Sequence, residues 1–160
     1  MCNYYPERGL AMLLEMQVKT VTMDRGGSFI VLLTDNEEKK VLPISIGPFE
    51  AQSIALVLQG AEPPRPLSHD LLKTLCEQLG GMLEKIVVTD IRDSTFYAEL
   101  YIRQNDQVIV IDSRPSDAIA FALRCGVNIF MEARLVEFTY DYDDLIQISD
   151  QEDGENEETH

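Results

Sequence analysis

Tryptophan is absent from the 160 residues, histidine occurs twice and cysteine three times. The missing tryptophan excludes nothing, but the other scarcities do. Cys2, Cys76 and Cys125 are odd in number and far apart, and match neither a disulfide framework nor a zinc-binding spacing. Cys76 and Cys125 fall in predicted helices and read as buried thiols. No apolar run approaches the roughly 18 residues that span a bilayer, so no membrane association is expected. The first eight residues lack the basic-then-apolar order of a signal peptide, and a cytoplasmic location is expected.

Positive charge is also scarce: 13 Lys and Arg stand against 28 Asp and Glu, a net of −15. The imbalance is uneven. Between Glu137 and Glu158 lie ten acids and no base; without them residues 1–136 carry 18 acids against 13 bases. The folded part is therefore mildly acidic, and a single domain over residues 1–137 is expected. Residues 138–160 read as an acidic, disordered tail. There is no basic patch interleaved with aromatics, so any grip on nucleic acid is expected to be weak and strongly salt-sensitive.

A shift of 67 positions lays Gln17–Gln59 over Glu84–Gly126 without a gap. Identical pairs include Val21/Val88, Thr22/Thr89, Phe29/Phe96, Leu33/Leu100, Ile44/Ile111, Pro48/Pro115 and Ala51/Ala118, with Glu50 opposite Asp117. The pattern predicts a duplicated unit, with copies at about 11–81 and 82–137. Each copy reads as three strands and a helix: Leu13–Met23, Ser28–Thr34, Lys39–Ile46 and Pro48–Gln59, then Leu83–Ile91, Thr95–Arg103, Gln107–Ile111 and Pro115–Cys125. Arg25-Gly26-Gly27, Asp35-Asn36-Glu37 and Asn105-Asp106 mark hairpin turns. A stiff loop, Gly60 to Pro66, leads to a further helix at about Ser68–Leu79, whose Leu71, Leu72, Leu75, Cys76 and Leu79 form one apolar stripe at helical spacing. The fold class is α+β, antiparallel-rich sheet with packed helices. Strand edges left by such copies need cover, which leaves room for a homodimer.

The most distinctive stretch is Asp112-Ser113-Arg114-Pro115-Ser116-Asp117, a polar knot before a helix that is apolar from Ala118 to Leu123. A helix apolar all round is buried, so the charges at its mouth must be capped, paired or in use. Pro115 suits the first turn, Ser113 can cap, and Asp117 sits where the helix dipole favours an anion. Pro48 and Glu50 repeat Pro115 and Asp117, which ties that pair to helix initiation. Asp112 and Arg114 face Ser45 and Gly47, so the second copy alone is charged there. Arg114 suits bidentate phosphate contact beside a helix N-terminus. Alternatively, Asp112 and Arg114 form a structural pair.

Leu42-Pro43-Ile44-Ser45-Ile46-Gly47, Pro64-Arg65-Pro66-Leu67-Ser68-His69-Asp70-Leu71, Thr89-Asp90-Ile91-Arg92-Asp93 with Phe96-Tyr97-Ala98, and Asp112 through Ala120 follow one another in a familiar order. Over roughly residues 11–137 the chain resembles the bifunctional nuclease family of bacteria and plants. The resemblance implies an α+β domain that cleaves DNA and RNA. Some relatives carry a C-terminal helical motif shared with excision-repair proteins; this chain has the acidic segment there instead.

The familiar nuclease signatures are missing: no His-Cys metal spacing, no Gly-rich phosphate loop and no obvious nucleophile triad. The expected nuclease would use His69 as acid or base. Asp70, Asp112 and Asp117 join it as candidate catalytic residues, and Arg65 and Arg114 as phosphate binders. Asp112, Asp117 and Glu50 could supply oxygen ligands to magnesium or manganese; no organic cofactor is implied. The rival reading is a non-catalytic module that uses the same cluster to bind an anionic ligand or a protein partner. A third makes the cluster a buried salt-bridge network that orders the helix mouths.

Overall fold

A computed structural model describes residues 11–145. Its strands are β1 (Leu13–Met23), β2 (Phe29–Asp35), β3 (Lys40–Ile46), β4 (Gly81–Arg92), β5 (Thr95–Gln104), β6 (Gln107–Ser113), β7 (Asn128–Glu132) and β8 (Tyr140–Asp141). Its helices are α1 (Pro48–Leu58), α2 (Ser68–Gln78) and α3 (Pro115–Cys125), with a 3₁₀ helix over Ala133–Phe138. All eight strands form one sheet, ordered β6-β5-β4-β7-β1-β2-β3-β8. Two antiparallel meanders, β1-β2-β3 and β4-β5-β6, flank β7, which runs parallel to β4 and antiparallel to β1. Each meander leads into an eleven-residue helix that opens on a proline. The α+β class stands, and β1-β2-β3-α1 and β4-β5-β6-α3 share a strand-strand-strand-helix order.

The alternation expected of half-buried strands sets the core. Val31 and Leu33 of β2, Leu42 and Ile44 of β3, Ile86 and Val88 of β4, and Ala98 and Leu100 of β5 turn to one face, where Ile54 of α1 and Ile119 and Phe121 of α3 meet them. Helix α3 is buried along Ala118–Ala122, as its composition requires. It ends at Gly126, whose φ of +65° is a left-handed cap that glycine adopts without strain.

Three expectations need correction. Ordered chain continues past residue 137: Tyr140–Asp141 pairs with Lys40 and Val41 of β3, and Lys40 Nζ lies 2.6 Å from Asp141 Oδ1. An acidic composition therefore did not prevent a short edge strand; the rest of the expected tail, 146–160, lies outside the described residues. Ser113 does not cap α3. Arg114 occupies the cap position, and the Ser113 hydroxyl donates to the Arg114 carbonyl at 2.9 Å. Lastly, α2 buries no residue. Its leucines face away from the body, and the packed side is made by His69, Lys73 and Cys76.

Candidate functional site

The three helices meet over the sheet, and each carries an acid in its first turn: Glu50, Asp70 and Asp117. Anions are stabilised there by the exposed N–H groups and the helix dipole. Only Asp70 spends its charge on its own helix start, where Oδ2 accepts the Leu67 N–H at 2.8 Å. Glu50 and Asp117 are both drawn to Arg114. The guanidinium donates from Nε to Asp117 Oδ2 at 2.7 Å and from Nη2 to Glu50 Oε1 at 2.6 Å. Gly47, the counterpart of Arg114 in the first half, makes this bridge possible: a Cβ at that position would run into the Glu50 carboxylate.

Asp117 continues the chain inward. Its Oδ1 lies 2.9 Å from His69 Nε2, and His69 Nδ1 lies 2.7 Å from Ser53 Oγ. The four side chains Arg114, Asp117, His69 and Ser53 thus form one hydrogen-bonded relay across α3, α2 and α1. It runs from an exposed guanidinium to a buried hydroxyl; the imidazole is 12% exposed. Burial works against the Asp117 charge, but the Arg114 and His69 bonds outweigh it and hold its carboxyl below the usual range. An ionised Asp117 fixes the tautomer: Nε2 must carry a proton to donate. In the neutral ring Nδ1 then keeps its lone pair and accepts the Ser53 O–H.

A second polar junction lies beside the first. Arg124, only 7% exposed, donates from Nε to Asp70 Oδ1 at 2.7 Å, from Nη1 to the Ala120 carbonyl at 2.9 Å and from Nη2 to the Ser53 carbonyl at 3.2 Å. Lys73 Nζ reaches the Arg124 carbonyl at 3.0 Å. The Leu67 N–H first, then Arg124, hold the Asp70 carboxyl below its ordinary value against the cost of burial. So α1, α2 and α3 are tied together mainly by charge and hydrogen bonds at the edge of an apolar core.

Of the residues singled out in the sequence, His69, Asp117, Arg114 and Glu50 converge, and Asp70 lies in the adjoining junction. Asp112 does not join them. It pairs with Glu99 across β5–β6, and both face away from the core side taken by Ala98 and Leu100. There it lines a polar cavity of about 220 Å³ with Thr89, Asp90, Arg92, Tyr97 and Glu99. Arg65 is exposed on the loop before α2 and makes no ion pair among the described residues. Two participants, Ser53 and Arg124, were not foreseen. An arginine near the end of a helix otherwise buried all round has to be paired, and that was the signal for Arg124; nothing in the sequence distinguishes Ser53.

The donor set does not fit a divalent metal ion. Among the described residues no group of three or more His, Cys, Asp or Glu side chains comes together to hold one. Glu50 and Asp117 share a guanidinium that already occupies the place of a cation, and Asp112 is on the other face of the sheet.

The chain is thus an α+β domain whose helix mouths hold an arginine–carboxylate–imidazole relay. The bidentate arginine and the single described histidine are groups that phosphate chemistry uses. Comparison with known proteins is specific. Residues 31–140 match the family model described as the bifunctional nuclease domain, and the chain belongs to that family. An uncharacterised protein of Mycobacterium tuberculosis is 46% identical over 103 residues, which are 64% of this chain and 61% of that protein. Bifunctional nuclease 1 of Oryza sativa subsp. indica is 31% identical over 66% of this chain and 33% of its own length. Bifunctional nuclease 2 of Arabidopsis thaliana is 28% identical over 64% and 32%. The matched stretch thus spans about three fifths of the mycobacterial relative and one third of the plant ones. Among the described residues no helix is long and apolar enough to cross a membrane.

Proposed function

We propose that this is a small cytoplasmic nuclease hydrolysing phosphodiester bonds in DNA and RNA, with its centre at the Arg114–Asp117–His69 relay. The observation that carries the reading is the geometry of Asp117. One carboxylate orients an exposed guanidinium with one oxygen and an imidazole with the other. Arg114 Nη1 is left to meet a phosphate oxygen, and Arg65 on the neighbouring loop is a second cation for the same strand. With Nε2–H held by Asp117 and Nδ1 turned to the buried Ser53 hydroxyl, the basic group on the side of the exposed guanidinium is the Asp117 carboxylate. It takes a proton from attacking water as the water oxygen bonds to phosphorus, and the departing sugar oxygen takes a proton from solvent. His69 acts through Asp117, holding the carboxylate in place with Nε2–H and itself held by Ser53. Asp70 acts at one remove, holding α2 to Arg124.

The sequence expectation of metal assistance carries no step here, because Glu50 and Asp117 are committed to Arg114 and Asp112 lies on the other face of the sheet. The test is cleavage of labelled single- and double-stranded DNA and RNA by stringently purified protein, with magnesium and with a chelator, alongside His69→Ala and Arg114→Ala. Cleavage lost in both variants supports the reading. Cleavage unchanged in both refutes this centre.

One observation favours a second reading, a non-catalytic module. Both ring nitrogens of His69 are engaged and Arg114 is balanced by two carboxylates, as in a network whose work is to fix three helices. Saturable binding of an oligonucleotide without turnover in the wild-type protein is its signature.

A further inference from the structure

Helix α2 is mounted with its apolar side outward. Leu71, Leu75 and Leu79 follow one another at intervals of four and form a single ridge, with Leu72 beside it. Leu75 is 50% exposed and Leu79 is 72% exposed. Leu67, one turn before Leu71, extends the ridge at its start and is exposed. The side turned to the body is His69, Lys73 and Cys76, two of which are held by polar bonds. A helix orients its polar face to water unless something covers the other one, so this orientation is incomplete in a lone chain.

Charge and area both indicate what covers it. The chain carries −15, ten of it between Glu137 and Glu158, and that net charge sets its copies against one another wherever it is not locally cancelled. On α2 the charges cancel in place: Asp70 is paired with Arg124, and Lys73 lies 3.9 Å from Glu77. The ridge is therefore an apolar, locally neutral strip on an acidic molecule, where two copies can approach without repulsion. The exposed parts of its side chains amount to on the order of 500 Å² of apolar surface, near the upper end for a monomer. Two such strips face to face bury about 1,000 Å², the size at which specific interfaces begin. A ridge of residues four apart also packs against an identical ridge at a crossing of about −50°, and a two-fold axis through Leu75 would place each leucine in the gaps of its counterpart.

We propose that the α2 leucine ridge is the self-association surface of this protein, forming a two-fold dimer with a second copy of the same chain. Because α2 also carries His69, dimerisation clamps the helix that positions the imidazole; the dimer itself does not depend on the nuclease reading.

The experiment is the mass in solution of the full chain by light scattering or sedimentation, across a range of concentrations. The wild type is expected at twice the 18.1 kDa chain mass. Leu75→Glu and Leu79→Glu are expected at the chain mass with an unchanged far-ultraviolet spectrum, since neither leucine is part of its own chain's core. Self-association should weaken on the order of 100-fold when a carboxylate enters the centre of the strip. Leu58→Glu, an exposed leucine on α1, should remain dimeric. A wild type that is monomeric at the highest soluble concentration overturns the proposal, as does a dimer that survives both α2 substitutions together.

Discussion

His69 Nε2 stands 2.9 Å from Asp117 Oδ1, and the second oxygen of the same carboxylate stands 2.7 Å from Arg114 Nε. One acid therefore accepts from two donors that belong to different helices. Asp117→Asn keeps the shape but offers a single acceptor and turns an N–H₂ toward one of the two donors. Cleavage should fall by about 10²-fold or more, the usual range for disabling a proton-transfer pair. Urea unfolding should lose about 1–3 kcal/mol through the unsatisfied partner. Full activity in the purified variant would remove Asp117 from the centre.

Arg124 supports the site from beneath. Arg124→Ala removes the guanidinium that Asp70 and the Ser53 and Ala120 carbonyls share, and should cost about 2–4 kcal/mol in urea unfolding, less than for a fully buried pair because Asp70 is partly solvated. Lysine at 124 should not restore it, since one ammonium cannot span three acceptors. The pH dependence has a definite sign. The Asp70 carboxyl is held below its unfolded value of about 3.9, so its contribution is complete above that pH and disappears as pH falls through the lower folded value. Asp70→Asn should be less stable than wild type at neutral pH, with the gap narrowing below about pH 4. A gap that stays constant into acid would show that Asp70 is not ionised in the fold.

The meanders and the three helices were legible because alternation and helical spacing are local, and α3 matches its expected range of Pro115–Cys125. Strand β7 was not. Asn128–Glu132 is a five-residue stretch with three apolar residues after a helix, and its place between β4 and β1 depends on pairings more than 40 residues away in one case and about 115 in the other. The leucines of α2 were read correctly as one stripe, but Cys76, read with them, lies on the packed side, and spacing does not tell which way a helix is turned. Polar bonds of His69 and Lys73 decide that here. At the site, Arg114 and Asp117 stood out as charges before a buried helix. Asp112 lay close in sequence but went to the other face, because the strand continues through Ser113 and its side chains alternate. Ser53 was invisible: a small hydroxyl in an apolar helix looks the same whether or not an imidazole is above it.

Ser53, His69 and Asp117 have the composition of a serine hydrolase triad, with the ring reversed so that Ser53 meets Nδ1. Burial separates the alternatives, since only 5% of Ser53 is exposed and a polymer cannot reach it. Ser53→Ala should therefore reduce cleavage no more than about tenfold, as expected when a residue orients a base and forms no covalent bond, while His69→Ala should be far worse. Cleavage abolished in Ser53→Ala, or a phosphate ester on Ser53 seen by mass spectrometry during turnover, would make Ser53 the nucleophile.

Phe49 is 82% exposed and directly precedes Glu50, which is held to Arg114. A phenyl ring left in water, next in sequence to the glutamate that Arg114 holds, suits a base stacked beside a bound phosphate, a contact that tolerates any sequence. Phe49→Ala should leave the urea midpoint unchanged, since the ring is not part of the core. Its affinity for a single-stranded oligonucleotide, read by fluorescence anisotropy, should fall by roughly 5- to 100-fold, the equivalent of one base–aromatic stack. The slope of log affinity against log salt should stay as in the wild type, because no phosphate contact has been removed; Arg114→Ala should instead reduce that slope by about one contact's worth. If Phe49→Ala binds as well as wild type while Arg114→Ala does not, the strand is held by its backbone alone and the ring has no part in recognition.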